Sequence, residues 1–133
     1  LRAILKKDPN DVNSLNALGY SLADRNIKLP EAYDLILKAH KLSPNDAFIL
    51  DSLGWVNFRL GKTVLALTQL QDALRMKPEA DIAAHLGEVL WVFNRSADAE
   101  LAWRQGELID ANNATLKETL KRLKPDWILL NAF

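Results

Sequence analysis

Cysteine is absent from the 133-residue chain, which removes disulfides, thiolate zinc sites and a thiol nucleophile from consideration. Neither charge is in excess: 17 basic residues face 17 acidic ones, so no long-range field draws the chain toward nucleic acid or an anionic membrane. No apolar run approaches the roughly 18 residues of a membrane-spanning helix, so direct insertion by this segment is not expected. Glycine-rich phosphate loops, a serine nucleophile elbow and a carboxylate pair with opposed environments are also missing. Catalysis therefore has no visible carrier, and no cofactor is called for. Glycine and proline are scarce, at five each, and their positions carry the organisation of the chain.

Three Leu-Gly pairs, Leu18-Gly19, Leu53-Gly54 and Leu86-Gly87, are each followed by an alanine (Ala32, Ala66, Ala99) and then a second small residue (Ala39, Ala73, Gly106). A large apolar residue lies between the small ones each time: Ile36, Leu70 and Trp103. The closing turns fall at Pro9, Pro44, Pro78 and Ala111, in steps of 35, 34 and 33 residues. Apolar residues at Leu15, Leu18, Gly19 and Leu22 follow the i, i+3, i+4, i+7 stripe of an amphipathic helix. The pattern predicts helices over 1–7, 11–25, 30–42, 46–60, 62–77, 80–93, 96–110 and 114–123, and no strand. Glycine inside a helix costs about 1 kcal/mol relative to alanine, so Gly19, Gly54 and Gly87 imply close approach of a partner helix. The surplus residue of the first copy belongs in the loop 25–29, and the third copy has a tighter entry turn before Gly87.

With a period near 34 residues and the small-residue and turn pattern of Gly54, Gly61, Ala66, Ala73 and Pro78, the stretch from Pro9 to about Ala111 resembles the tetratricopeptide repeat (TPR) family. The resemblance implies an all-α, right-handed solenoid of antiparallel helix pairs. It divides the single domain into the end of a preceding repeat (1–9), three repeats (10–44, 45–78, 79–111), a capping helix (112–124) and an apolar tail (125–133). Leu1, Ile4 and Leu5 begin in mid-pattern, so a piece of a longer protein is expected. In the capping helix Leu116, Leu120 and Leu123 form one face, and Lys117, Glu118, Lys121 and Arg122 are expected to stay wet.

In such a solenoid the first helices of the pairs line the concave wall. Aligned on the three glycines, the wall carries Asn13, Phe48 and Asp81, then Asn16, Asp51 and Ala84, then Tyr20, Trp55 and Glu88, then Ala23, Phe58 and Trp91. Aromatic residues supply contact area at low entropic cost, and amides can bond a peptide backbone. The expected groove is therefore Tyr20, Trp55, Phe58 and Trp91, flanked by Asn13, Asn16, Phe48, Asp51, Arg59, His85 and Glu88, with a protein or peptide as partner. Trp55 and Tyr20 are read as groove rings. Phe58 stands between groove and packing, because Asn57 takes a slot usually held by a large apolar residue, and Trp103 is read as core.

TPR domains that bind chaperone C-termini grip the terminal carboxylate with a lysine-asparagine-lysine-arginine set. The matching wall here offers Asn16, Tyr20, Asp51, Ser52, Asp81 and His85, with no lysine. A carboxylate clamp is not expected. The mixture of acidic and aromatic residues points instead to a ligand with apolar and some basic side chains.

Asp81, His85 and Glu88 share a helical face but have no fourth ligand, so they are read as a solvated face rather than a metal site. His40 is read as an exposed surface residue. Trp127, Ile128, Leu129, Leu130 and Phe133 crowd the tail, and such a patch should not stay in water. It is expected to fold back over the last helix pair; the alternative is docking into a second copy, the array then serving as a self-association or spacer module of a larger protein with the tail as contact. The stretches around Leu18-Gly19-Tyr20, Leu53-Gly54-Trp55 and Leu86-Gly87-Glu88 also resemble the C-terminal repeats of proteobacterial TPR proteins, several of them envelope lipoproteins acting as assembly or protease adaptors. That implies a bacterial, periplasm- or envelope-facing setting, with the cytoplasm as the alternative.

Overall fold

The computed structural model describes residues 1–128, and among them every regular element is a helix: α1 (Arg2–Lys7), α2 (Val12–Asp24), α3 (Leu29–Leu42), α4 (Ala47–Arg59), α5 (Thr63–Met76), α6 (Ala80–Val92), α7 (Ser96–Asp110) and α8 (Ala114–Leu123). The helices pair as α2–α3, α4–α5 and α6–α7, and α8 packs chiefly on α6. Even-numbered helices thus lie side by side in one layer of a right-handed solenoid, α2 on α4, α4 on α6 and α6 on α8.

Local chemistry fixes both ends of each hairpin. Asp11 caps α2 by accepting from the Ser14 N–H, Asp46 caps α4 through the N–H groups of Phe48 and Ile49, and Asn113 caps α8 through Leu116. At the far ends Asn26, Gly61 and Asn94 take the left-handed conformation, with φ of 55°, 84° and 62°. The next N–H in each case reaches back to Leu22, Asn57 and Leu90, closing three equivalent Schellman turns. The first connection has one residue more than the others because Lys28 is also left-handed, at φ 47°.

Small residues let the paired rods nest. Ala32, Ala66 and Ala99 are fully buried, as are Ile36, Leu70 and Trp103, and each of these three large side chains fills the space where a glycine of the facing helix lacks a Cβ. Leu116 and Leu120 of α8 are buried in the same continuous core. His40 is half-buried rather than exposed, with its Nδ1 shielded inside the packing, because α3 is covered on more than one side.

Candidate functional site

The even-numbered helices present one face to a concave groove. Its main hollow, of about 470 Å³, is lined by Tyr20, Asp24, Trp55, Arg59, His85 and Glu88, and on the far side by Ala114, Thr115, Glu118, Thr119 and Arg122 of α8. A smaller hollow of about 230 Å³ continues it past Asn16, Ala17, Phe48, Asp51, Ser52 and Asp81, sharing Tyr20, His85 and Thr115.

Register explains which side chains converge. Counting from the helix caps Asp11, Asp46, Glu79 and Asn113, the second position holds Asn13, Phe48, Asp81 and Thr115, the fifth Asn16, Asp51, Ala84 and Glu118, and the ninth Tyr20, Trp55, Glu88 and Arg122. The fourth member of each rung comes from α8, which is therefore a wall of the groove as well as a cap. Arg122 stays exposed as expected, and it also donates two hydrogen bonds to the buried Glu88 carboxylate, at 2.6 and 3.2 Å. A bidentate pair of this kind satisfies a carboxylate that would otherwise be costly to bury.

At the centre lies a polar strut that joins three successive hairpins. His85 of α6 bonds Asp51 of α4 through Nδ1 at 2.8 Å and the Tyr20 hydroxyl of α2 through Nε2 at 3.0 Å. Trp55 stacks on the imidazole with ring centroids 4.4 Å apart. Burial drives the His85 pKa down, but the Asp51 carboxylate acts against it by charge and by hydrogen bond, Asp81 and Asp24 add to that pull, and the net direction is upward from 6.5. The Tyr20 phenol is held well above its ordinary range, first by burial and then by Asp24, Asp51 and Asp81, with Arg59 opposing.

Trp55 departs from the expected open anchor: it is only 2% exposed and forms the floor of the groove. Its Nε1 donates to Asp24 at 3.3 Å, and the Arg59 guanidinium lies 4.9 Å above its ring. Arg59 is itself anchored, donating to the carbonyls of Ala23 at 3.1 Å and Asp24 at 3.0 Å, at the end of α2. His85 and Glu88 are likewise buried rather than a solvated face, while half-buried Asp81 accepts from Asn113 at 2.8 Å. Among the described residues no group of three metal-ligating side chains forms.

Four of the expected wall residues stand apart from or at the edge of this centre. Asn13 is exposed outside both hollows, and Phe48 lies at the outer end under Lys77, whose Nζ is 5.0 Å from the ring. Phe58 packs against Trp55 in a tilted arrangement, with ring centroids 5.2 Å apart. Trp91 turns away toward fully buried Trp103, at 5.5 Å. Asn57, in a slot where an apolar residue was expected, is buried and donates to Gln69 at 2.8 Å. Sequence reading passed over Asp24, Ala17 and the α8 residues Ala114, Thr115, Glu118, Thr119 and Arg122. For the rung members Thr115, Glu118 and Arg122, the cap-to-rung count carries the signal.

Trp127 turns back onto α7, where its indole N–H donates to Glu107, its edge meets Trp103 and the Arg104 guanidinium lies 4.0 Å from its ring. Ile128 is exposed, and its carbonyl accepts from Arg104 at 3.1 Å. Leu129, Leu130 and Phe133 lie outside the described residues.

No protein-family model matches the chain. Over 88 residues it is 52% identical to a TPR repeat-containing protein of Pseudomonas aeruginosa, a match that takes in 66% of this chain and 15% of that protein. Over 60 residues it is 38% identical to bacteriophage adsorption protein A of Escherichia coli, covering 45% of this chain and 6% of that one. The chain therefore spans a small fraction of the length of these curated relatives. Among solved structures, MamA superposes with a TM-score of 0.69 at 24% identity over 94% of this chain and 73% of its own. PilF of Pseudomonas aeruginosa does so with 0.66 at 21% identity, over 95% of this chain and 67% of its own. Both structural likenesses concern the helical-repeat architecture, and both curated relatives are bacterial. Repeat spacing, glycine-notched hairpin packing and these likenesses agree that the chain is an array of tetratricopeptide repeats.

Proposed function

We propose that this array, a protein–protein interaction fold, binds an extended segment or helix of a partner protein along the concave groove between α2, α4, α6 and α8. The observation that carries the reading is the groove itself: a hollow of about 470 Å³ with an aromatic and imidazole floor that is locked by hydrogen bonds before any ligand arrives. A floor whose rotamers are already fixed loses little entropy on binding, and rings beside polar groups are what a peptide groove uses to combine contact area with register. The bacterial relatives, one of them named for bacteriophage adsorption, support a bacterial envelope setting for the partner.

The test fills the groove without disturbing its floor. Ala17 and Ala114 are exposed and line the two hollows, so Ala17→Trp with Ala114→Trp occupies the space from opposite sides. Presented with a random array of capped decapeptides, the unmodified chain is expected to capture a defined subset. The double variant should capture those peptides about tenfold less, a loss of about 1.4 kcal/mol, with helicity and thermal midpoint retained. Capture of nothing by the unmodified chain, or equal capture by the filled one, overturns the reading.

A further inference from the structure

We infer that the groove selects a segment carrying lysine or arginine, whose cationic head is received at the rim between Asp24 of α2 and Glu118 of α8. This rests on the groove being the binding surface and adds the chemical character of what it takes.

The two hollows together are lined by five carboxylates, Asp24, Asp51, Asp81, Glu88 and Glu118, against two guanidiniums, Arg59 and Arg122, and one imidazole, His85. Neither guanidinium is free to meet an anionic ligand. Arg59 is spent on the carbonyls of Ala23 and Asp24, with the Asp24 carboxylate 3.9 Å from its Nη2. Arg122 is shared between two acids, bidentate on Glu88 and 3.5 Å from Glu118. Asp81 has a neutral amide as its hydrogen-bond partner. Lys77, at the outer end, is paired with Glu79 at 3.8 Å. The cations are thus held by the protein, and an excess of negative charge is left facing the groove even when His85 is protonated.

The most accessible of those charges are at the rim: the Asp24 side chain is 52% exposed and that of Glu118 is 65% exposed. The half-buried Tyr20 ring lines the same hollow and suits the methylene stem of a long basic side chain. An acidic segment would meet like charge at the rim.

The same peptide array reads the outcome. Among captured decapeptides, lysine and arginine together are expected to be enriched about threefold or more over aspartate and glutamate, and capture should weaken as sodium chloride rises from about 50 to about 500 mM. Asp24→Asn with Glu118→Gln should bring the charge bias to parity while the thermal midpoint stays in place. An acidic bias, no bias, or a basic bias that survives the double variant overturns this inference and leaves the groove reading standing. The groove reading itself falls only if the unmodified chain captures nothing or the Ala17→Trp, Ala114→Trp variant captures as well as the unmodified chain.

Discussion

Gly87→Ala is expected to lower the free energy of unfolding by about 3 kcal/mol, although alanine is intrinsically the better helix former by about 1 kcal/mol. The reason is steric. A Cβ at Gly87 would lie 2.1, 2.4 and 2.7 Å from three atoms of the Trp103 indole, and that ring is fully buried between Trp91 and Trp127. A rigid bicyclic ring cannot rotate its nearest atom aside, so the α6–α7 pair must separate. The same change at Gly19 meets Ile36 Cγ1 at 2.6 Å, and at Gly54 it meets Leu70 Cγ at 2.9 Å. These flexible chains can adjust, which sets the expected order of loss as Gly87, then Gly19, then Gly54. Urea unfolding followed by helical circular dichroism gives the ranking. Adding Trp103→Leu to Gly87→Ala should recover part of the loss, since the two changes share one contact and are not additive. A Gly87→Ala protein as stable as the parent would mean that the notch is not what seats Trp103.

Close packing at these glycines was legible in the residues, because a glycine inside a helical stripe opposite Ile36, Leu70 or Trp103 has few explanations other than close packing, whereas the order among them rests on the distances. The sequence pattern places helix starts at 11, 46 and 114, each within one residue of the caps Asp11, Asp46 and Asn113. The groove was legible as register but not as surface. Trp55 does occupy the ninth position after its cap, on the concave side. Its enclosure depends on the His85 ring from the next repeat and on Arg59, which is held in turn by carbonyls of the previous one. The His85 contact and the hold on Arg59 span 30 or more residues and leave no mark on a local pattern. The polar side of α8 is exposed as its amphipathic pattern predicts, Arg122 included, but the bond that Arg122 makes to Glu88 across 34 residues leaves no mark in its local spacing. Rung counting from the caps puts the two in one rung, because it treats α8 as a fourth copy of the wall rather than as an end.

Removing the Asp51 carboxylate is expected to reverse the pH dependence of stability. In the parent chain the folded pKa of His85 lies above its ordinary value of 6.5. The folded state therefore binds the proton more tightly than the unfolded state. Its stabilisation is complete below pH 6.5 and is lost as pH rises from there through the folded pKa. Stability should accordingly fall on going from mildly acidic to mildly alkaline solution, a trend that His85→Gln removes. In Asp51→Asn the two upward influences of Asp51, its charge and its ionic hydrogen bond, are gone. Burial, the largest single influence, then acts against only the smaller pulls of Asp81 and Asp24, so the folded pKa is expected to drop below 6.5, the imidazole then resisting protonation in place. Stability should now fall as pH is lowered through 6.5. Near pH 6 the substitution should cost about 3 kcal/mol, the range for breaking a buried ionic pair by removing one partner. Above the folded pKa, where both proteins hold a neutral His85, it should cost less. Thermal midpoints across that pH range, for the parent, Asp51→Asn and His85→Gln, distinguish the cases by the sign of the slope. Parallel curves for all three would show that the Tyr20–His85–Asp51 strut carries no proton-linked energy and acts only through shape.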